Sequence, residues 1–129
     1  KQYIEQTQND LFADRQLRLM IENGNRQVVG IVDLCSFDPL HNRAEVGIMV
    51  DKSCRRQGIG RNALALLEEH CFRYLGIHQL FAYIAVENLP SRRLFAACGY
   101  KESAVLKEWA HTFGGGYTDV LVVQKLNLS

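Results

Sequence analysis

Apolar residues recur in this sequence with two different periods, and the switch between them falls on a pair of glycines. In RQLRLMIE, Leu17, Leu19 and Ile21 share one face of an extended chain while Gln16, Arg18 and Met20 take the other. That is the alternation of a strand with one buried side. The pattern returns in QVVGIVDLCSF and in AEVGIMV. NGN, Asn23 to Asn25, predicts a hairpin turn because Asn and Gly tolerate positive φ, and DPLHNR reads as a loop. After Gly60 the spacing changes: Leu64, Leu67, Cys71 and Leu75 recur at steps of three and four, with Arg61, Glu68, Glu69 and Arg73 assigned elsewhere on the wheel. This is an amphipathic helix, and Gly76 is its natural stop. An antiparallel meander over Leu17 to Val50 that feeds a helix confines the chain to the α+β class.

The remaining segments extend that reading. HQLFAYIAV is an apolar, β-prone run. ENLPSRRLFAACGY reads as a second helix, capped by Asn88, with Pro90 in its first turn and Gly99 closing it. Strands are expected at Lys101 to Trp109 and Tyr117 to Leu126, joined by AHTFGGG; Lys1 to Asp14 reads as the tail of a helix. The order is β-β-β-α-β-α-β-β. The unit from Ala44 to Val86 should set two strands parallel through a right-handed crossover, within a mixed, mostly antiparallel sheet. A chain of 129 residues suits one domain, taken as 1–129, with a core that needs no metal or disulfide. The net charge of +1 gives no support to a nucleic-acid binder. Cys35, Cys54, Cys71 and Cys98 form no C-x-x-C, and the four histidines lack ligand spacing, so no metal site is expected and the thiols read as free in a reducing cytoplasm. No apolar run approaches the roughly 20 residues of a membrane span.

The loop at the switch, CRRQGIGRNA, carries the chemistry. The first N–H groups of a helix have no internal partner, and the helix dipole favours an anion there. Gly58 and Gly60 remove side chains from beside those donors, and Arg55, Arg56 and Arg61 add positive charge. Two readings stand: a phosphate or pyrophosphate cradle, or a helix start with solvated arginines. GIGRNA also fits G-x-G-x-x-A, the dinucleotide fingerprint, but DKSCRRQ separates its glycines from the strand, and YLGIHQLFA carries no acid at the required distance. Arg61 stands where a Walker lysine belongs.

RRQGIG resembles the [RQ]-x-x-G-x-[GA] signature of the GCN5-related N-acetyltransferases, and its setting agrees. AEVGIMVDKSCRRQGIGRNALALLEEHCF looks like the family's central strand, pyrophosphate loop and helix. VENLPSRRLFAACGYKES resembles the next strand end, helix and glycine-aromatic turn, and GGGYTDVLVVQKL is similar to the closing strand of the spermidine and ribosomal-protein acetyltransferase subgroup. The resemblance covers most of Leu17 to Leu126. It implies the acyl-CoA N-acyltransferase fold, with helices on both faces of the sheet, and a domain that lacks the family's N-terminal strand and helix. It implies acetyl-CoA as cosubstrate. The pyrophosphate would lie on Arg55, Arg56, Gln57, Gly58, Ile59, Gly60 and Arg61, and the pantetheine arm on backbone at Ile48, Met49 and Val50. Asn88 and Ser91 match a second cofactor-contacting segment, with helix capping as the other reading. Glu45, on the strand face of Gly47 and Met49, is the implied general base; its other reading is a solvent-facing or hairpin-paired carboxylate. The Met49 or Val50 N–H is the expected oxyanion donor. Phe95 occupies the position of the family's usual proton-donating tyrosine, which leaves the general acid unassigned. The implied activity is acetyl transfer to a primary amine: a small molecule, a polyamine or a protein N-terminus. A non-catalytic acyl-CoA-binding regulatory module is the alternative. Neither nucleic acid nor membrane is an expected partner, and an exposed edge strand leaves room for a homodimer.

Overall fold

The computed structural model describes residues 3–6, 15–54 and 58–128. The alternating segments form a sheet of seven strands: β1 (Tyr3–Gln6), β2 (Leu17–Glu22), β3 (Val28–Asp38), β4 (Arg43–Val50), β5 (Gln79–Ala85), β6 (Lys101–His111) and β7 (Tyr117–Leu126). Their spatial order is β1-β2-β3-β4-β5-β7-β6. Every neighbouring pair is antiparallel except β4–β5, the parallel pair made by the crossover through α1 (Ile59–Glu69). The mixed, mostly antiparallel sheet expected from the alternation is therefore present. One expectation fails: Tyr3–Gln6 is a strand paired to β2 with Ile4 opposite Ile21, not the end of a helix. Four residues are too few to show a period, and an open strand edge supplies the backbone partners. Residues 7–14 lie outside those described.

Leu17, Leu19, Ile21, Val32, Leu34, Ala44, Val46, Leu80, Ala82 and Ile84 turn one sheet face inward, where they meet Ala63, Leu64, Leu67 and Cys71 of the first helix and its extension. Phe95 of α2 (Leu89–Ala97) joins the same cluster. Both described helices thus bury into one core, and among the described residues no helix covers the opposite face. The α1 helix runs on as a π-helical turn over His70–Tyr74 and stops at Gly76, whose φ is +67°.

Two local readings need correction. Glu68 does not lie off the apolar face: it is buried, and Lys125 Nζ of β7 donates to its Oε1 at 2.6 Å. Four residues after Leu64 and three before Cys71, it occupies a core position that the β7 lysine neutralises. The turn after β2 is not built on positive φ at its Asn and Gly. Asn23 Oδ1 accepts from the Asn25 and Gln27 N–H groups, and the left-handed residue is Arg26 at φ +61°. The asparagine works as a local acceptor in an Asx-type turn.

Candidate active site

The parallel pairing of β4 with β5 covers Arg43↔Gln79, Ala44↔Leu80 and Glu45↔Phe81 among the described residues. Beyond Glu45 the strands part. β4 continues to Val50 against β3, and β5 continues to Ala85 against β7. The backbone of β4 in this gap can be oriented. Asp51 N–H donates to Val29 O at 2.8 Å, and a Cβ placed on Gly30 would lie 2.6 Å from Met49 O. Asp51, Met49 and Gly47 therefore address β3, and by strand alternation the N–H and C=O of Ile48 point into the gap. The Met49 peptide groups are thus turned to β3, whereas Val50, the other donor expected from sequence, shares the gap side with Ile48.

Gly58 closes the gap at its far end as the residue before α1, with φ +76° and no side-chain cap. The first bond of the helix runs from Asn62 N–H to Gly58 O at 3.0 Å, so the Ile59, Gly60 and Arg61 N–H groups precede the internal ladder. The two glycines have different reasons to be there. A Cβ on Gly58 would meet nothing within 4 Å, so backbone conformation selects it. A Cβ on Gly60 would sit 3.2 Å from Leu94 Cδ2 and 3.6 Å from Val50 Cγ2. Gly60 lets α1 and α2 approach, rather than only clearing room for a ligand. Arg55, Arg56 and Gln57 lie outside the described residues.

Ala44 and Val46 are buried, which puts Glu45, Gly47 and Met49 on the opposite face, as the alternation predicts. Ser36, left-handed at φ +52° in a β3 irregularity, donates its hydroxyl to Glu45 Oε1 at 3.4 Å. Burial, and then the charge of Glu45, push the Cys35 thiol above its ordinary value. At about 3.3 Å per residue, Glu45 lies roughly 10 Å along the strand from Ile48, so an amine beside Ile48 would be beyond its direct reach and would need a path of intervening water. Gly47 leaves that path open. Asn88 Oδ1 accepts from Ser91 N–H at 3.3 Å, which realises the capping role. Phe95 is buried edge-on against Tyr100, with ring centroids 4.9 Å apart; it serves the core, and Leu94 is the α2 residue beside Gly60.

Periodicity alone missed one feature. Strand register aligns Arg18, Asp33 and Gly47 across β2, β3 and β4. With Ile31, Ile48 and Met49 they line a pocket of about 270 Å³ on the face away from the helices. Arg18 Nε and Nη2 donate to Asp33 Oδ1 and Oδ2 at 2.8 and 3.2 Å, and this pairing raises the guanidinium pKa further. The signal is a pairing register, which one strand's sequence does not carry.

Comparison with known proteins supplies the family. The family model for the acetyltransferase (GNAT) domain matches residues 1–101. The chain belongs to the GNAT acetyltransferase family. Over 103 residues it is 27% identical to a spermidine N(1)-acetyltransferase of Vibrio cholerae, covering 80% of this chain and 59% of that protein. Over 102 residues it is 34% identical to a putative phosphinothricin acetyltransferase of Bacillus subtilis, covering 74% and 59%. The matches thus span about three fifths of these curated relatives. Among solved structures, a chimera of Vibrio cholerae spermidine N-acetyltransferase with hSSAT superposes with a TM-score of 0.85 at 25% identity, covering 91% of this chain and 70% of that one. A dodecameric form of the Vibrio enzyme gives 0.83 at 25% identity. The acyl-CoA N-acyltransferase fold is therefore established for this GNAT chain. No group of three or more His, Cys, Asp or Glu suited to a metal ion occurs among the described residues.

Proposed function

We propose that this chain carries out acetyl-CoA-dependent N-acetylation of a primary amine. The observation that carries the reading is the parting of β4 from β5 at Glu45, with Ile48 backbone groups directed into the gap and the α1 start at its end. The amides of a pantetheine arm pair with such a strand as an added strand would. The pyrophosphate fits the Ile59, Gly60 and Arg61 N–H groups, joined by Arg55, Arg56 and Gln57 of the preceding loop. Met49 and Val50 flank the arm, and Asn88 and Ser91 stand at the α2 start. The amine nitrogen attacks the thioester carbonyl, a C–N bond forms, and the C–S bond breaks with departure of the thiolate. The Ile48 N–H stabilises the oxyanion. Glu45 takes the amine proton through water, and solvent protonates the thiolate, whose ordinary pKa near 8.5 makes it a competent leaving group.

Supporting the reading are the GNAT family match and relatives named as acetyltransferases. Self-association belongs to the same proposal: β6 is an edge strand with Val105 and Trp109 exposed, and one neighbour is dodecameric. So does a reducing, cytoplasmic setting, which suits four free cysteines. Thiol release from acetyl-CoA over a panel of amines tests the activity. Glu45→Gln is expected to lower kcat roughly 10²-fold with coenzyme A affinity unchanged. Coenzyme A binding without thiol release on any amine would refute catalysis and favour a binding module.

A further inference from the structure

The pocket beside Ile48 contains an arginine and a carboxylate that the transfer chemistry does not use. Arg18 and Asp33 form a two-point pair at 2.8 and 3.2 Å, with side chains 55% and 32% exposed. Exposed pairs of this kind contribute little to stability, so a better-placed partner can exchange into one. The guanidinium fork matches a carboxylate in both spacing and plane. Opposite Asp33 stands Gly47, with open space where a side chain would be, and Ile31 and Met49 supply apolar walls. The volume of about 270 Å³ lies just below the usual range for small-molecule pockets, which suits a compact acceptor.

We propose that this pocket takes a free α-amino acid with an apolar side chain, Arg18 exchanging Asp33 for the acceptor's carboxylate. The inference rests on the acetyl-transfer reading and names the acceptor class for that site. Charge complementarity selects it. A zwitterion laid on an ion pair makes two opposite-charge contacts, carboxylate to Arg18 and ammonium to Asp33, in exchange for the exposed Arg18–Asp33 pair that it opens. A polyamine meets the Arg18 charge at the same place. The short distance between carboxylate and amine in an α-amino acid keeps the nitrogen near Gly47 and Ile48 once the carboxylate is held. The side chain faces Ile31 and Met49.

The test needs no turnover. The full chain, with coenzyme A present, is titrated with L-leucine, L-leucinamide and putrescine while backbone amide shifts are followed at Gly47 and Ile48. Leucine is expected to bind at least tenfold more tightly than leucinamide or putrescine. Arg18→Gln should reduce leucine to the level of leucinamide and leave leucinamide itself unchanged. Equal binding of leucine and leucinamide, tighter binding of putrescine, or no response to any of the three overturns the proposal. So does equal weakening of leucine and leucinamide by Arg18→Gln, which would make the pair a tie between strands only. Shifts at Ile59, Gly60 and Arg61 on adding coenzyme A report the acetyl-transfer site separately, so failure of one reading is distinguished from failure of the other.

Discussion

Gly58 meets no crowding, yet its backbone sits at φ +76°. An L-residue pays for that conformation through its own Cβ. Gly58→Ala should therefore destabilise the protein by about 1 kcal/mol through the backbone alone, read as a lower urea midpoint with an unchanged m-value. A loss much larger than this would mean that the loop is packed against something else. The contrast with Gly60 shows what a sequence exposes at this scale. G-x-G marks two positions without side chains. Only the structure separates the one selected by dihedral angle from the one selected by Leu94. Glu45 was legible in the same partial way: alternation placed it on the face away from the helices, whereas its contact with the Ser36 hydroxyl depends on register and on a β3 irregularity.

Among the elements, the best-read were those whose period was long enough to repeat: the β2–β4 meander, the helix after Gly60, and the parallel crossover. β1 escaped because it has four residues, and Glu68 because its buried position is reconciled by a lysine 57 residues away. That ion pair joins α1 to β7. Lys125 Nζ also donates to Cys98 O at 2.6 Å, at the end of α2, so one ammonium ties three elements. Glu68 is almost wholly buried, and removing its partner strands a charge in the core. Lys125→Met is expected to cost about 3 kcal/mol, while the double change Glu68→Leu with Lys125→Met should recover most of the loss. Chemical denaturation of the wild type and the two variants measures this; a Lys125→Met variant as stable as wild type would contradict it.

At the scale of the whole molecule, the buried thiols and phenol set an alkaline limit. Burial, and then Glu68, push Cys71 from 9.0 up to about 12; burial likewise raises Tyr100, Cys98 and Cys35. Between pH 9 and 12 the folded chain holds the Cys71 proton that the unfolded chain has lost. Stability is thus intact below pH 9 and falls as pH rises, by up to about 1.4 kcal/mol per pH unit for each such group. Denaturant midpoints measured from pH 8 to 11 should fall steadily; a flat profile would mean these groups titrate as in the unfolded chain. At the acid end, backbone hydrogen bonds hold Asp38 and Asp119 below the ordinary carboxylate value of 3.8, so their contribution is lost only as pH drops below it.

The parting of β4 from β5 has a consequence for variation. On the proposed reading, recognition there would run through peptide groups, which every amino acid possesses, so substitutions along Ile48 to Val50 that preserve β conformation would leave it untouched. The same scaffold would then be free to change its outward side chains, Arg18 and Asp33 among them, and so its choice of amine, without disturbing the proposed grip on the acyl donor.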